Sequence, residues 1–115
     1  MATRKQERLQ RELQRRIAAF IQLELKDPRL AVPHAVTDAQ ISADLRVLKL
    51  YVSVDAPAEQ QQIVLGVLKG AARRMRHQLG EELELRVLPE LRFYLDDTPE
   101  RAHRIDEILD SLHED

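Results

Sequence analysis

Residues 47–54, Val-Leu-Lys-Leu-Tyr-Val-Ser-Val, constrain this chain more than any other stretch. Leu48, Leu50, Val52 and Val54 recur at every second position and share one face, while Lys49 and Ser53 fall on the other. Alternation with period two is the pattern of a strand buried on one side. Such a strand needs neighbours for its backbone and a cover for its apolar face, so the flanking segments have to supply both.

They read in that way. Leu9, Leu13, Ile17, Phe20, Ile21 and Leu25 recur at three- and four-residue spacing, which is one apolar face of a long helix. Thr3 and Gln6 form a capping box at its start, and Pro28 forces it to end by Asp27. Residues 30–35 read as a loop. Val36–Ser42 is strand-like, and Ala43-Asp44 makes a turn into the central strand, giving an antiparallel hairpin. Pro57 opens a second helix near its first position. Its apolar face is Ile63, Val64, Val67, Leu68, Ala71, Met75 and Leu79, and Gly80 is its expected C-terminal cap. Gly66 and Gly70 lie inside it, where each costs about 1 kcal/mol relative to alanine. A close backbone approach or a kink near Gly70 is the expected reason. Alternation resumes over Glu84–Leu95, interrupted by Pro89, which predicts a bulge or an edge strand. Asp96-Asp97-Thr98-Pro99 turns into a short helix with Ala102, Ile105, Ile108, Leu109 and Leu112 on its apolar face.

The predicted order is α-β-β-α-β with an extra C-terminal helix. It gives an α+β domain, a three-stranded sheet with two helices on one face, over residues 1–97, followed by a short helix and tail over 98–115. With a broken second helix counted as two, this is the order of a type II KH module. At 115 residues the chain builds one modest core.

Charge is unevenly placed. The formal total is −2. Residues 1–29 carry Arg4, Lys5, Arg8, Arg11, Arg15, Arg16, Lys26 and Arg29 against four acids, and residues 69–76 carry Lys69, Arg73, Arg74 and Arg76 against none. From Glu90 to Asp115, nine acids face Arg92, Arg101 and Arg104. A basic front and an acidic tail can orient a protein on a polyanion. Charged residues covering solvated helix faces explain the same map.

Enzyme classes find little to stand on. Cysteine is absent, which removes disulfides, thiolate nucleophiles and cysteine zinc sites. His34, His77, His103 and His113 show no metal spacing. Gly66 and Gly70 lack the Lys-Ser/Thr of a P-loop, and Asp96-Asp97 reads as a turn before a helix. No catalytic residue, metal or cofactor is expected. No apolar run reaches the ~20 residues of a membrane span, and no signal segment is visible, so a cytoplasmic protein without a membrane or small-molecule partner is predicted.

Three stretches carry a family resemblance: Glu24-Leu25-Lys26-Asp27-Pro28-Arg29-Leu30; Asp44-Leu45 with Lys49-Leu50-Tyr51-Val52-Ser53; and Leu85-Arg86-Val87-Leu88-Pro89-Glu90-Leu91-Arg92-Phe93. With Arg104-Ile105 and Leu109, they run in order from about residue 9 to about residue 109. The chain resembles the ribosome-binding factor A family. The resemblance implies a KH-like fold without a GxxG loop and no reaction of its own. It also implies binding to the free small (30S) ribosomal subunit late in assembly, support for maturation of the 16S rRNA 5′ end, and an association with growth in the cold. Members commonly carry an Ala-x-Gly kink in the second helix. Here Ala71-Ala72-Arg73 stands in its place, preceded by Gly70.

A KH-type RNA contact uses cations and helix ends near phosphates. Lys69, Arg73, Arg74 and Arg76, around the expected kink Gly70-Ala71-Ala72-Arg73, are the first candidates. Arg86 can equally be structural. Lys26 and Arg29 flank Asp27-Pro28, where a salt-bridged helix end competes with RNA contact. Arg15, with Arg8, Arg11 and Arg16, can meet phosphate or simply cover a helix. Tyr51 and Tyr94 are too few for a stacking platform, and Tyr51 reads as sheet packing. A monomer is expected. The alternative is an interaction or dimerisation module built on the C-terminal amphipathic helix, although that helix folding back on the protein's own sheet is the preferred reading.

Overall fold

The computed structural model describes residues 3–96. Its elements are α1 (Arg4–Leu23), a 3-10 turn (Pro28–Ala31), β1 (His34–Ile41), β2 (Val47–Val54), α2 (Ala58–Glu82) and β3 (Glu90–Leu95). The C-terminal helix expected after Thr98 lies outside the described residues.

The N-terminus of α1 is fixed by the anticipated capping box: Gln6 N–H donates to the Thr3 hydroxyl and Thr3 N–H donates to the Gln6 side chain. Leu13, Ile17, Phe20 and Ile21 are buried along one stripe. Asp27 starts the 3-10 turn by accepting from Arg29 N–H.

The sheet has the order β1-β2-β3. β1 and β2 form the predicted antiparallel hairpin, with Ala39 opposite Leu50 and a bulge at Thr37. The turn carries one residue with positive φ, Leu45 at 63°. The Ser42 hydroxyl, accepting from Arg46 and Val47 N–H, holds that turn. β3 pairs with β2 in parallel, Leu91 with Leu48 and Phe93 with Leu50, so the sheet is mixed. A parallel neighbour needs a long crossover, and α2 is that crossover.

Leu48, Leu50, Val52 and Val54 are buried as the alternation predicts. They join Phe93 and Leu91 from β3, Leu13 and Ile17 from α1, and Leu68, Met75 and Leu79 from α2 in one core. α1 lies chiefly over β1 and α2 over β3. No polar or charged residue is buried among the described residues.

α2 is one continuous helix from Ala58 to Glu82, and Gly70-Ala71-Ala72-Arg73, where the kink is expected, is helical throughout. Alanine and arginine are strong helix formers, and they offset the cost of one glycine. Two other local expectations need correction. Gly80 is not the cap, since the helix continues past it to a cap at Leu83. A Cβ on Gly80 would stand 3.1 Å from Leu88 Cδ2, so the glycine makes room for the chain returning toward β3. Finally, β3 starts at Glu90 rather than Glu84. Pro89 has no N–H to give a ladder, and pairing begins only after it, with Glu90 N–H donating to Arg46 C=O at 2.8 Å.

Candidate nucleic-acid interface

The cations singled out in the sequence divide by what they already touch. Arg15 forms an ion pair with Glu12 at 2.7 Å, and Glu12 also holds Arg16 at 2.8 Å. Hydrogen bonds from both arginines lower the Glu12 pKa, Arg15 first. Arg29 closes on Asp27 at 2.6 Å, and its side-chain and backbone donors hold that carboxyl down to about 2. The salt-bridged helix end weighed against RNA contact is therefore present at Arg29. Lys26 beside it has no hydrogen bond or ion pair among the described residues.

Arg76 turns back to the chain. Its Nε donates to Pro89 C=O at 3.1 Å and its Nη2 to Leu88 C=O at 2.8 Å. These two carbonyls precede β3, so Arg76 fixes the strand's entry into the sheet. Arg74 sits over the Phe20 ring, 5.3 Å from its centroid, and reaches Glu24 C=O at 3.5 Å. A guanidinium over an aromatic face is a cation–π contact, and here it ties α2 to α1.

Lys69, Arg73 and Arg86 are exposed and make no hydrogen bond or ion pair among the described residues. Lys69 and Arg73 are four residues apart on an unbroken helix, so their side chains emerge on one face, one above the other. Gly66 and Gly70 lie beside them, exposed, and a Cβ added at either would find nothing within 4 Å. The middle of α2 thus presents two uncommitted cations next to nearly bare backbone. That shape admits a phosphodiester backbone at short range, where charge-assisted contacts are strongest.

The outer face of the sheet, away from the helices, carries a pair that spacing alone did not reveal. Tyr51 and Tyr94 stand opposite each other on β2 and β3, with ring centroids 5.7 Å apart and planes at 30°. Tyr51 is in sheet packing as expected, and its partner is Tyr94. The Arg16–Glu82 ion pair at 3.2 Å is a second contact that spacing could not show, because its partners are far apart in sequence.

Among the described residues, no group of three His, Cys, Asp or Glu side chains could hold a metal ion. His34 Nδ1 is 2.8 Å from Val32 C=O, and His77 lies 3.1 Å from Glu81. No described helix is long and apolar enough to cross a membrane.

The order α1-β1-β2-α2-β3, with both helices on one face of the sheet, is an α+β architecture consistent with a KH-like fold. Comparison with known proteins takes this further. The sequence model described as ribosome-binding factor A matches residues 5–109. A ribosome-binding factor A of Caldanaerobacter subterraneus is 38% identical over 106 residues, covering 92% of this chain and 87% of the relative. That of Acetivibrio thermocellus is 40% identical over 103 residues, covering 90% and 84%. This chain belongs to the ribosome-binding factor A family.

Solved structures agree. The crystal structure of ribosome-binding factor A from Thermus thermophilus has a TM-score of 0.68 at 33% identity, covering 78% of this chain and 94% of that one. Coordinates of the Thermus thermophilus factor fitted into a cryo-EM map of its complex with the 30S subunit have a TM-score of 0.64 at 33% identity. They cover 78% of this chain and 93% of theirs.

Proposed function

We propose that this protein is a non-enzymatic assembly factor that binds the free 30S subunit through 16S rRNA and supports late maturation of that RNA, including its 5′ end. Family membership supports the ribosomal part, together with the Thermus thermophilus factor seen in complex with a 30S subunit. The observation that carries the RNA-binding part is the pair Lys69 and Arg73, free of partners among the described residues and set beside the bare backbone of Gly66 and Gly70. Recognition on this surface rests on phosphates and RNA shape, because no row of exposed strand aromatics is present among the described residues to splay and stack bases. Binding therefore weakens steeply as salt rises. Arg86 and Lys26 are secondary contacts of the same kind. Arg74 and Arg76 act on the fold first, and Arg15 and Arg29 are held by carboxylates. The reading places the protein in the cytoplasm, as a monomer, and gives it a role in growth in the cold.

The test is cosedimentation with purified free 30S subunits at low and moderate salt, alongside a Lys69→Glu/Arg73→Glu variant. The wild type comigrates with the subunit at low salt and the variant is left near the top of the gradient. Failure of the wild type to comigrate at any salt overturns the ribosomal reading. Unchanged binding by a folded double variant overturns only the placement of the surface. Primer extension on 16S rRNA from cells dependent on this chain tests the processing step, with precursor 5′ ends accumulating when the chain is depleted.

A further inference from the structure

The edge of a sheet exposes a row of unpaired backbone N–H and C=O groups, a template for a strand from another molecule. β1 and β3 are the two edges of this sheet. In an antiparallel pair, successive residues turn their backbone groups alternately toward the neighbour and away from it. Ser42 N–H donates to Val47 C=O and Asp55 N–H donates to Pro33 C=O, which fixes the groups that face β2 at the two ends of β1. Followed along the register from those ends, Ile41, Ala39 and Val36 turn their groups outward, with the bulge at Thr37 between the last two.

Side chains take up these outward groups. Gln10 Oε1 accepts from Ile41 N–H at 2.9 Å. Asp38 Oδ1 accepts from Ala39 N–H at 2.8 Å. Gln14 Nε2 donates to Val36 C=O over a longer 3.3 Å, and Gln6 Nε2 stands 3.4 Å from Ala43 C=O in the turn beyond the strand. Gln6, Gln10 and Gln14 are four residues apart and form one stripe on α1. The stripe follows the edge in reverse order, meeting Ala43, Ile41 and Val36 in turn. The bulge at Thr37 breaks the regular spacing that an added strand needs. On β3, by contrast, no side chain bonds a main-chain group among the described residues.

We propose that Gln10 and Gln14 of α1, together with Asp38, close the β1 edge against pairing with a second copy of this chain. α1 then covers the edge of the sheet as well as its apolar face. The two glutamines act with opposite sign. A backbone N–H only donates and a backbone carbonyl only accepts, so Gln10 serves as the acceptor and Gln14 as the donor. These side chains lie on α1 and β1, away from Lys69 and Arg73, so the proposal does not depend on the RNA-binding reading.

Amide hydrogen exchange on the full chain tests the bonds by their sign. Gln10→Glu keeps an acceptor and should leave exchange at Ile41 within about threefold of the wild type, whereas Gln10→Lys removes it and should speed that exchange at least about tenfold. Gln10→Ala/Gln14→Ala/Asp38→Ala opens the edge without adding charge. In sedimentation velocity its average mass should rise with concentration more steeply than that of the wild type. Exchange at Ile41 and Ala39 should be fast in dilute solution and slow down as concentration rises, because the second copy takes up the vacated bonds. Arg11→Ala/Gln40→Ala, on the same two elements but outside these bonds, should behave as the wild type. Three results overturn the proposal: equal Ile41 exchange in Gln10→Glu and Gln10→Lys, an opened variant that associates no more than the wild type, or association that leaves the Ile41 and Ala39 amides fast. If the triple variant does not fold, the Gln10→Glu and Gln10→Lys pair still decides.

Discussion

α1 and α2 both carry clusters of cations, yet the two helices use them differently. On α1, Glu12 neutralises Arg15 and Arg16, and Arg16 is shared with Glu82 of the other helix. On α2, Lys69 and Arg73 pair with no acid among the described residues, and the glycines beside them leave the helix low in profile. Between these extremes sit Arg74 and Arg76, exposed by area but spent on Phe20 and on the carbonyls of Leu88 and Pro89. Charge visible in a sequence is not charge available to a ligand. What a cation already touches decides which it is.

The largest expected effect tests the two helices against each other. Lys69→Glu/Arg73→Glu should lower 30S affinity by about 100-fold and flatten the log–log salt dependence by about two, one for each lost phosphate contact. Arg15→Glu/Arg16→Glu should change affinity by less than about fivefold. Equal losses from the two variants would break the comparison. Filter binding at several salt concentrations reads both.

Arg76→Ala should separate fold from binding. Losing donors to two carbonyls costs about 1–3 kcal/mol of stability, seen as a lower urea midpoint. Affinity of the folded variant should stay within about threefold of the wild type. A large loss of binding at unchanged stability would return Arg76 to the interface.

The glycines give a smaller effect of opposite sign. Gly70→Ala should raise stability by about 0.5–1 kcal/mol, because the new methyl meets open space and the helix gains propensity. Gly80→Ala should gain less, since its methyl must push against Leu88 Cδ2. Thermal unfolding of the two variants side by side checks the order.

The smallest effect is titration of Asp27. Its folded pKa, about 2, is below the ordinary carboxylate value of about 3.9. Its contribution is therefore complete above about pH 4 and fades as pH falls through about 2. The stability difference between wild type and Asp27→Asn should shrink over that interval. A difference independent of pH would show that the Arg29 pair contributes nothing through charge.

Local periodicity made much of this fold readable. The stripe Leu13, Ile17, Phe20, Ile21, the alternation of β2 and the capping box at Thr3 all depend on neighbours a few residues away. The Asp27–Arg29 pair was readable for the same reason. What spacing could not show depends on distant partners. The parallel pairing of β3 with β2, the bond from Arg76 to the chain before β3 and the Arg16–Glu82 bridge all join segments brought together only by folding. Gly80 misled because a glycine near a helix end resembles a cap, whereas its role is to admit Leu88. At the candidate interface, the cations of residues 69–76 were legible as a group, but their division into two without a partner among the described residues and two committed members was not.

Tyr51 and Tyr94 are the chain's two tyrosines, and it has no tryptophan. Both rings sit in a single contact across the seam between β2 and β3. The near-ultraviolet optical signal of this protein therefore comes almost wholly from one place, the seam that forms only after α2 has carried the chain back. In a stopped-flow refolding trace, the tyrosine signal would report the pairing of β2 with β3, while far-ultraviolet dichroism would follow the helices. The protein thus contains its own spectroscopic probe of the pairing between β2 and β3, with no label added.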